Sequence, residues 1–319
     1  MTYKMTTRHN FFLTVFVASM TAIMFLSPYT TVAQTLKAGT FNIRNENNGD
    51  KDRGNGWDAR CPWICSFIEF EDLDIFGAQE VLYGQNQDMT ESLEGYGCIY
   101  AGRDDGKTKG EGSPIFYKEE RLRLLESGWF WLSETPDVPS KGWDAALPRI
   151  CTWGHFKDKE SGRKFWFFNL HMDHIGVRAR AEGARLVVQR IKEWCGKGEK
   201  VFLTGDFNVD QNNEIYTTFT ESGILSDSYT VSEKKYAPCG TANSFNPNAF
   251  TESRIDHVFV SPDIRVINYG VLTETYRRMS EPDSEGYKSG AFPKEITLHQ
   301  YEARTLSDHF PVIVRVVLK

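Results

Sequence analysis

The sequence predicts an α/β fold in which two packed β-sheets are flanked by helices. Short apolar runs with strand character outnumber the helical segments, and strands do not alternate strictly with helices. Most of these runs end in a polar cluster. No internal repeat, low-complexity block or long linker divides the chain. We therefore expect one large domain rather than a string of small ones.

The N-terminal segment has the pattern of a secretory signal. Two basic residues precede a largely apolar, uncharged run over 11–26, and small residues at 31–33 offer a cleavage site. The sequence therefore predicts a signal peptide over 1–33 and a single domain over 34–319. We expect an exported protein, periplasmic or extracellular, with no transmembrane segment in its mature chain. A retained N-terminal anchor is the alternative.

The charge of the chain limits its partners. The formal net charge is −6, and removing 1–33 leaves 286 residues with a net charge of −8. An acidic protein has no general electrostatic attraction to nucleic acid, although a local basic patch could still bind phosphate. The charge therefore counts against a non-specific nuclease without excluding one.

The six cysteines leave their redox state open. An even number in an exported chain permits disulfides, whereas buried free thiols are the alternative. No Cys-x-x-Cys pair occurs, so a zinc site is not predicted. The cysteines are Cys61, Cys65, Cys98, Cys151, Cys195 and Cys239.

Strands are predicted where apolar runs are bounded by polar or turn-forming residues. The predicted strands are 36–43, 74–81, 113–118, 149–156, 164–174, 200–210, 254–261 and 307–318. Two stretches rich in Pro, Gly, Ser and charge, 136–148 and 276–304, are predicted as loops.

Two segments have helical spacing. In 57–70, Ile64, Phe67 and Ile68 fall on one face. In 178–195 the apolar residues again recur at helical intervals, and Gly196 follows as a stop signal.

Eight polar side chains lie in or at the ends of these apolar runs. A carboxylate in such a position is costly unless it is paired or bound to a metal ion. One such residue means little, but eight from six segments indicate that strand ends converge on one site. Solvated strand ends are the alternative. The eight are Asn42, Glu80, His171, Asp206, Asn208, Asp256, Asp308 and His309.

The residue types in this set favour a hard cation. Oxygen ligands without clustered Cys or His indicate Mg²⁺, Mn²⁺ or Ca²⁺ rather than zinc. Mg²⁺ is held by one or two carboxylates, with water and substrate phosphate completing its shell, and Glu80 and Asp308 could provide them. Two histidines near carboxylates could transfer protons. The set therefore suits hydrolysis of a phosphoester by a water nucleophile.

An ordered series of motifs gives the sequence a specific resemblance to one protein family. TFNIR, GAQEV, GEGSPIFYK, PRICTW, NLHMDH, TGDFN, RIDHVFVS and SDHFPV follow one another between Leu36 and Leu318. In this order they resemble the endonuclease/exonuclease/phosphatase superfamily, with its deoxyribonuclease I-like fold. The stretch 129–153 resembles a bacterial exported branch, which is distantly similar to the deadenylase and nocturnin group. The resemblance implies a four-layer α-β-β-α sandwich of two mixed sheets, with the site at one rim.

The resemblance also implies roles for the metal and phosphate ligands. Glu80 would bind the metal ion, with Asp308 as a second carboxylate near it. Asn42 would lie beside the metal and the phosphate. The implied ion is Mg²⁺, with Mn²⁺ as the alternative.

The remaining implied roles concern proton transfer and phosphate binding. Asp206 and Asn208 would activate and orient the attacking water. His309, held by Asp256, would contact the phosphate.

Three further residues match the secreted deoxyribonuclease branch. His171 would be its second histidine and would protonate the leaving group, Glu111 would be the carboxylate partner of that histidine, and Arg149 would contact the phosphate. Each has a plainer alternative. His171 could be a satisfied core histidine and Glu111 a solvated loop tip, and Arg149 could extend its head group to solvent or pair with Asp144. Asp173 and His174 also match the branch, but no step is assigned to them.

The predicted function is therefore metal-dependent phosphoester hydrolysis on an undefined substrate. Small molecules, lipid headgroups and nucleic acids all remain open, and no stable protein partner is inferred. A secreted endo- or exonuclease acting on DNA or RNA is the alternative. A non-catalytic binding protein on the same scaffold is the third interpretation, but no residue of the core set is missing.

Overall fold

The computed structural model describes residues 1–2, 35–280 and 285–319. Its helices and strands all belong to the compact unit Ala33–Lys319. Apart from its first two residues, the predicted signal peptide at 1–33 lies outside the described residues. In the part of the chain that is described, no helix combines the length and apolar character needed to cross a bilayer.

Fifteen strands are present in the described ranges. They are β1 Leu36–Asn42, β2 Ile75–Gln79, β3 Tyr96–Ile99, β4 Ile115–Lys118, β5 Leu122–Trp131, β6 Ile150–Asp158, β7 Lys164–His171, β8 Val201–Asp206, β9 Ser226–Asp227, β10 Lys234–Tyr236, β11 Asp256–Val260, β12 Ile264–Val271, β13 Thr275–Met279, β14 Tyr301–Thr305 and β15 Val312–Leu318.

Six helices accompany these strands in the same ranges. They are α1 Asn48–Asp52, α2 Trp57–Glu71, α3 Tyr83–Ser92, α4 Val177–Trp194, α5 Glu214–Thr220 and α6 Ser228–Val231.

The strands form two large mixed sheets and one small one. The first sheet has the order β10-β12-β15-β1-β2-β4-β3, and the second has the order β5-β6-β7-β8-β11-β9. Parallel neighbours occur in both, as β1 with β2 and β7 with β8, among mostly antiparallel pairs. Strands β13 and β14 make a separate two-stranded sheet.

Three hydrophobic clusters show how the layers pack. Alternate residues of a strand point to opposite faces of its sheet. In β7, Phe167 therefore belongs to the cluster between the two sheets, whereas Phe168 packs with Ile191 of α4. On the first sheet, Phe76 of β2 packs with Ile64 of α2. Helices thus cover the outer face of each sheet, which confirms the predicted four-layer α-β-β-α sandwich.

The predicted elements agree with the structure except at one segment. All eight predicted strands and both predicted helices are present, and 136–148 contains no helix or strand. The prediction of a loop over 276–304 is wrong at its two ends, because β13 and β14 pair there with Met279 opposite Tyr301. This pairing joins residues far apart in sequence, and several of its side chains are exposed, so no local apolar pattern marks it. All six cysteines are free thiols.

A buried amide connects the two sheets next to the rim that carries the polar strand ends. Asn169 of β7 is fully buried and donates from Nδ2 to the carbonyl oxygens of Ala78 (2.8 Å) and Pro114 (2.9 Å). Its Oδ1 accepts from Gln79 Nε2 at 2.7 Å. A Cβ on Gly77 would lie 2.2 Å from the Asn169 side chain, so only glycine allows this approach.

Replacing Asn169 by alanine is expected to lower the free energy of unfolding by about 2–4 kcal/mol, because several buried polar groups lose their partner. Urea denaturation measures this change. Asn248→Ala, at an exposed position, is the matched control and should stay within about 0.5 kcal/mol of the wild type. Equal losses in both variants would show that Asn169 does not tie the sheets together.

Candidate active site

The register of the first sheet brings four of the predicted residues to one rim. Strands β1 and β2 are parallel, so Asn42, the last residue of β1, and Glu80, just after β2, lie at the same edge. Strand β15 runs antiparallel to β1 and begins at that edge. Asp308 and His309 lie four and three residues before this strand and therefore come to the same rim as Asn42.

The second sheet contributes its residues by the same rule. Strands β7 and β8 are parallel and end side by side, with His171 opposite Asp206. Strand β11 is antiparallel to β8 and begins with Asp256, also opposite Asp206. Asn208 follows two residues after β8. The two sheets thus present their polar strand ends to a common centre.

Asp206 lies at that centre. It is 2% exposed, and its Oδ1 accepts a hydrogen bond from the Asn208 backbone N–H at 2.9 Å. Its Oδ2 accepts from Asn42 Nδ2 at 3.0 Å and lies 3.5 Å from His171 Nε2. Burial and the neighbouring Asp256 raise the pKa of Asp206 well above the usual carboxyl range. A carboxylate with a raised pKa suits the role of general base.

The two histidines of the site are held in opposite protonation states. Burial alone would lower the pKa of His309, but Asp256, whose Oδ2 lies 2.8 Å from His309 Nδ1, raises it well above the usual value. Burial and the charges of Arg149 and Arg103 hold the pKa of His171 well below the usual value. His309 is therefore a cation that can donate hydrogen bonds, and His171 is neutral. Such divergence between neighbouring titratable groups is typical of catalytic sites.

The two predicted metal-binding carboxylates lie near one another. Glu80 accepts hydrogen bonds from Asn42 Nδ2 (3.1 Å) and from Asn45 Nδ2 (3.1 Å). Arg44 Nη1 lies 3.9 Å from Glu80 Oε2 and 3.4 Å from Asp308 Oδ2. Burial raises the pKa of Asp308, and the charge of Glu80 raises it further. Two carboxylates that repel each other in this way favour a bound cation.

The donor atoms in the site fit a hard divalent ion at Glu80 and Asp308, because they are carboxylate and amide oxygens. A second group, Asp206, Asp256 and His309, has ligand atoms within 4.8 Å of one another. His309 Nδ1 is already bonded to Asp256, and a protonated imidazole has no lone pair to offer. Glu80 and Asp308 therefore remain the predicted metal ligands, and Asp206, Asp256 and His309 form a second group of possible ligands.

Three residues at the rim have unusual backbone conformations. Arg44 and Glu80 both have φ of 60°, and Asn208 has φ of 51°. Non-glycine residues seldom adopt this left-handed region, and such conformations cluster at active sites, where the surrounding structure holds them. Two of the three, Glu80 and Asn208, are residues predicted to act at the metal ion and the attacking water.

The predicted Glu111–His171 pair does not form in the structure. Glu111 accepts hydrogen bonds from Arg103 Nη1 at 2.6 Å and from Asn45 Nδ2 at 3.0 Å. His171 Nε2 lies 3.1 Å from Asn208 Nδ2. Arg103 takes the carboxylate because its positive charge attracts Glu111 more strongly than a neutral imidazole does. Arg103 and Asn45 were not among the predicted site residues. No motif marks Arg103, whereas Asn45 closely follows Asn42.

Arg149 is held by the two residues that had no predicted role. Its Nε donates to Asp173 Oδ2 at 3.2 Å, and its Nη2 lies 2.9 Å from His174 Nδ1. Asp144, the alternative partner, instead accepts from the backbone N–H of Ala179 in the first turn of α4. Burial would raise the pKa of Asp173, but backbone N–H groups and Arg149 hold it well below the usual range. Asp173 thus fixes the position of Arg149 at the rim.

Comparison with known proteins places this arrangement among phosphoester hydrolases. The sequence model described as the endonuclease/exonuclease/phosphatase family matches residues 39–309. A solved protein of that family from Bacteroides thetaiotaomicron is 53% identical, with a TM-score of 0.82, covering 90% of this chain and 98% of that one. A mannosyl-6-phosphatase from the same organism is 53% identical, with a TM-score of 0.81, covering 88% and 99%. An uncharacterized protein of Acanthamoeba polyphaga mimivirus is 29% identical over 269 residues, 81% of this chain and 91% of that protein.

Proposed function

The chain belongs to the endonuclease/exonuclease/phosphatase family of phosphoester hydrolases, and from this membership we propose that it is a Mg²⁺-dependent phosphomonoesterase acting on sugar phosphates. The observation that carries the reaction type is the convergence of Asp206, Asp256 and His309 with the carboxylates Glu80 and Asp308 at one rim. The similarity to a mannosyl-6-phosphatase over almost the whole length supports the substrate class.

In this proposal water is the nucleophile and no covalent intermediate forms. Asp206 accepts a proton from the water, and Asn208 helps to orient it. His309 donates to a phosphoryl oxygen. Burial and nearby arginines lower the pKa of His171, so it orients its neighbours. As the bond between phosphorus and the leaving oxygen breaks, that oxygen takes a proton from solvent water. Glu80 and Asp308 would hold Mg²⁺, with Asn42 beside it, and the ion would supply stabilisation of negative charge on the phosphoryl group.

A pocket beside Asp308 supports a sugar as the alcohol part of the substrate. Its volume is about 550 Å³, and it is lined by Arg53, Asn55, Ser244, Phe245 and Arg304 among others. These groups offer hydrogen bonds for hydroxyls and one aromatic surface for carbon atoms. In-line displacement places the leaving oxygen opposite the attacking water. We propose that the leaving sugar occupies this pocket, which Asp308 also lines.

A panel of substrates in Mg²⁺ buffer tests the proposal. It contains mannose 6-phosphate, glucose 6-phosphate, p-nitrophenyl phosphate, bis(p-nitrophenyl) phosphate, inositol phosphates, sphingomyelin and single-stranded and duplex nucleic acids. We expect phosphate release from the sugar phosphates, loss of activity with EDTA and recovery with Mg²⁺. Cleavage of nucleic acid without phosphate release from any monoester would contradict the proposal and favour the nuclease alternative.

Glu80→Gln is expected to weaken Mg²⁺ binding by at least about tenfold, because a metal ligand loses its charge. Titration calorimetry with MgCl₂, alongside thermal unfolding with and without Mg²⁺, measures binding and stability separately. Without Mg²⁺ the variant should unfold near the wild-type temperature, since glutamine keeps one acceptor oxygen. Glu91→Gln, at an exposed position in α3, is the control. An unchanged Mg²⁺ affinity in Glu80→Gln would remove Glu80 from the metal site.

We also propose that the protein belongs to an exported bacterial branch and works outside the cytoplasm. The basic start, apolar run and small residues at 31–33 support this. Mass spectrometry of protein isolated from its native host should find a mature chain that starts near Gln34. Intact Met1 on soluble cytoplasmic protein would contradict export.

A further inference from the structure

Two arginine side chains are buried next to the catalytic residues. Arg103 is 8% exposed and Arg149 is 4% exposed. Charged side chains buried to this degree are almost always paired. Each arginine has one carboxylate partner, Glu111 for Arg103 at 2.6 Å and Asp173 for Arg149 at 3.2 Å. A guanidinium has five N–H donors, so a single carboxylate leaves some of them without an acceptor.

Some of these remaining donors are buried and unpaired. Within the described residues, Arg103 Nε and Arg149 Nη1 have no hydrogen-bond partner, and neither does His171 Nδ1. A buried polar group left without a partner costs about 1–3 kcal/mol, and more when it is charged. An anion that accepts from both guanidinium groups would remove this cost.

The two guanidinium groups are close enough to affect each other and His171. Burial lowers the pKa of Arg149, and the charge of Arg103 lowers it further. Both charges also lower the pKa of His171, whose Nε2 is 3.5 Å from Asp206 Oδ2. Arg103 and Arg149 therefore both contribute positive charge at His171, which lies beside Asp206.

Arg103 is also connected to the metal-binding side of the site. Glu111 joins Arg103 to Asn45, and Asn45 Nδ2 donates to Glu80 Oε2 at 3.1 Å. Glu111 is thus a positioning residue for Arg103. This connection fixes the position of the Arg103 guanidinium relative to Glu80, although no sequence motif predicts a charge there.

We infer that Arg103 binds the phosphoryl group together with Arg149 and selects phosphomonoesters over phosphodiesters. The inference rests on the proposed function and deepens it. A terminal phosphate carries nearly two negative charges at neutral pH, whereas a diester carries one. A second guanidinium therefore stabilises the dianion more than the monoanion.

The test compares Arg103→Met with Arg121→Met as its control. Arg121 has a similarly buried side chain, 13% against 10% exposed, and it also pairs with carboxylates, Asp158 and Glu160. It lies in the turn before β5, at the opposite rim. The measured quantities are kcat/KM for p-nitrophenyl phosphate and bis(p-nitrophenyl) phosphate, and the inhibition constant of inorganic phosphate.

In Arg103→Met we expect kcat/KM for the monoester to fall by about 10²-fold and phosphate inhibition to weaken by at least about tenfold. The diester value should change less than about threefold. Arg121→Met should keep the wild-type ratio of monoester to diester activity. If Arg103→Met does not fold, Arg103→Lys is measured in the same assays. Lysine keeps the charge but loses the planar guanidinium, so the ratio of monoester to diester kcat/KM should fall by a smaller factor.

The outcomes separate the inference from the proposed function. A loss of equal size on both substrates, or no loss, overturns the role of Arg103 and leaves a phosphomonoesterase. A wild-type protein that releases phosphate from no monoester overturns both. A selective loss in Arg103→Met together with an unchanged ratio in Arg121→Met supports the inference.

Discussion

Asp206→Asn is expected to lower kcat by about 10²- to 10⁴-fold, the usual contribution of a general base. Thermal stability should stay the same or rise, because Asp206 is a buried carboxylate whose raised pKa shows that its charge is disfavoured by the fold. Asparagine keeps the size of the side chain and one acceptor oxygen. A large loss of turnover without a loss of stability would identify the carboxylate as part of the chemistry.

Asp227→Asn is the matched control for this experiment. Asp227 is also 2% exposed, but it pairs with Arg254 at 2.9 Å and accepts from Tyr216 Oη at 2.7 Å, on the edge strand β9. Breaking a buried ion pair costs about 3–5 kcal/mol, so this variant should be less stable with near-normal turnover per folded molecule. If Asp206→Asn instead loses stability and keeps its kcat, the carboxylate is structural.

The second large effect concerns Asp256 and His309 as a unit. Asp256→Asn and His309→Gln are each expected to lower kcat by about 10²- to 10³-fold, and the double variant should lose little more than the worse single variant. Asp256 raises the pKa of His309, so removing either residue removes the imidazolium that we propose contacts the phosphate. Steady-state kinetics on the wild type, the two single variants and the double variant measures the coupling free energy between Asp256 and His309.

Glu111 and His171 are the comparison pair for this cycle. The structure separates them, because Arg103 and Asn45 occupy the Glu111 carboxylate. Their double variant should therefore show effects closer to additive than those at Asp256 and His309. Simple additivity at Asp256 and His309 would mean that the 2.8 Å contact does not act in turnover.

The sequence alone predicted the fold class and the convergence of the polar strand ends. Both depend on local patterns: apolar runs that must be buried on sheet faces, and polar side chains at the ends of those runs. Asn42, Glu80, Asp206 and Asp256 belong to strand ends whose position at one rim follows once the strands pair. The order of the motifs then indicated the family, because each motif is short but their sequence along the chain is specific.

Only the tertiary structure decided which side chains pair with which. Glu111 was expected beside His171, but the loop that carries Arg103 brings a full positive charge closer to the carboxylate, and a charge competes better than a neutral ring. Asn169 likewise has no sequence signal, since its four hydrogen bonds reach both sheets. Such contacts join segments distant in sequence, and their energies depend on distance and burial, which local patterns do not contain.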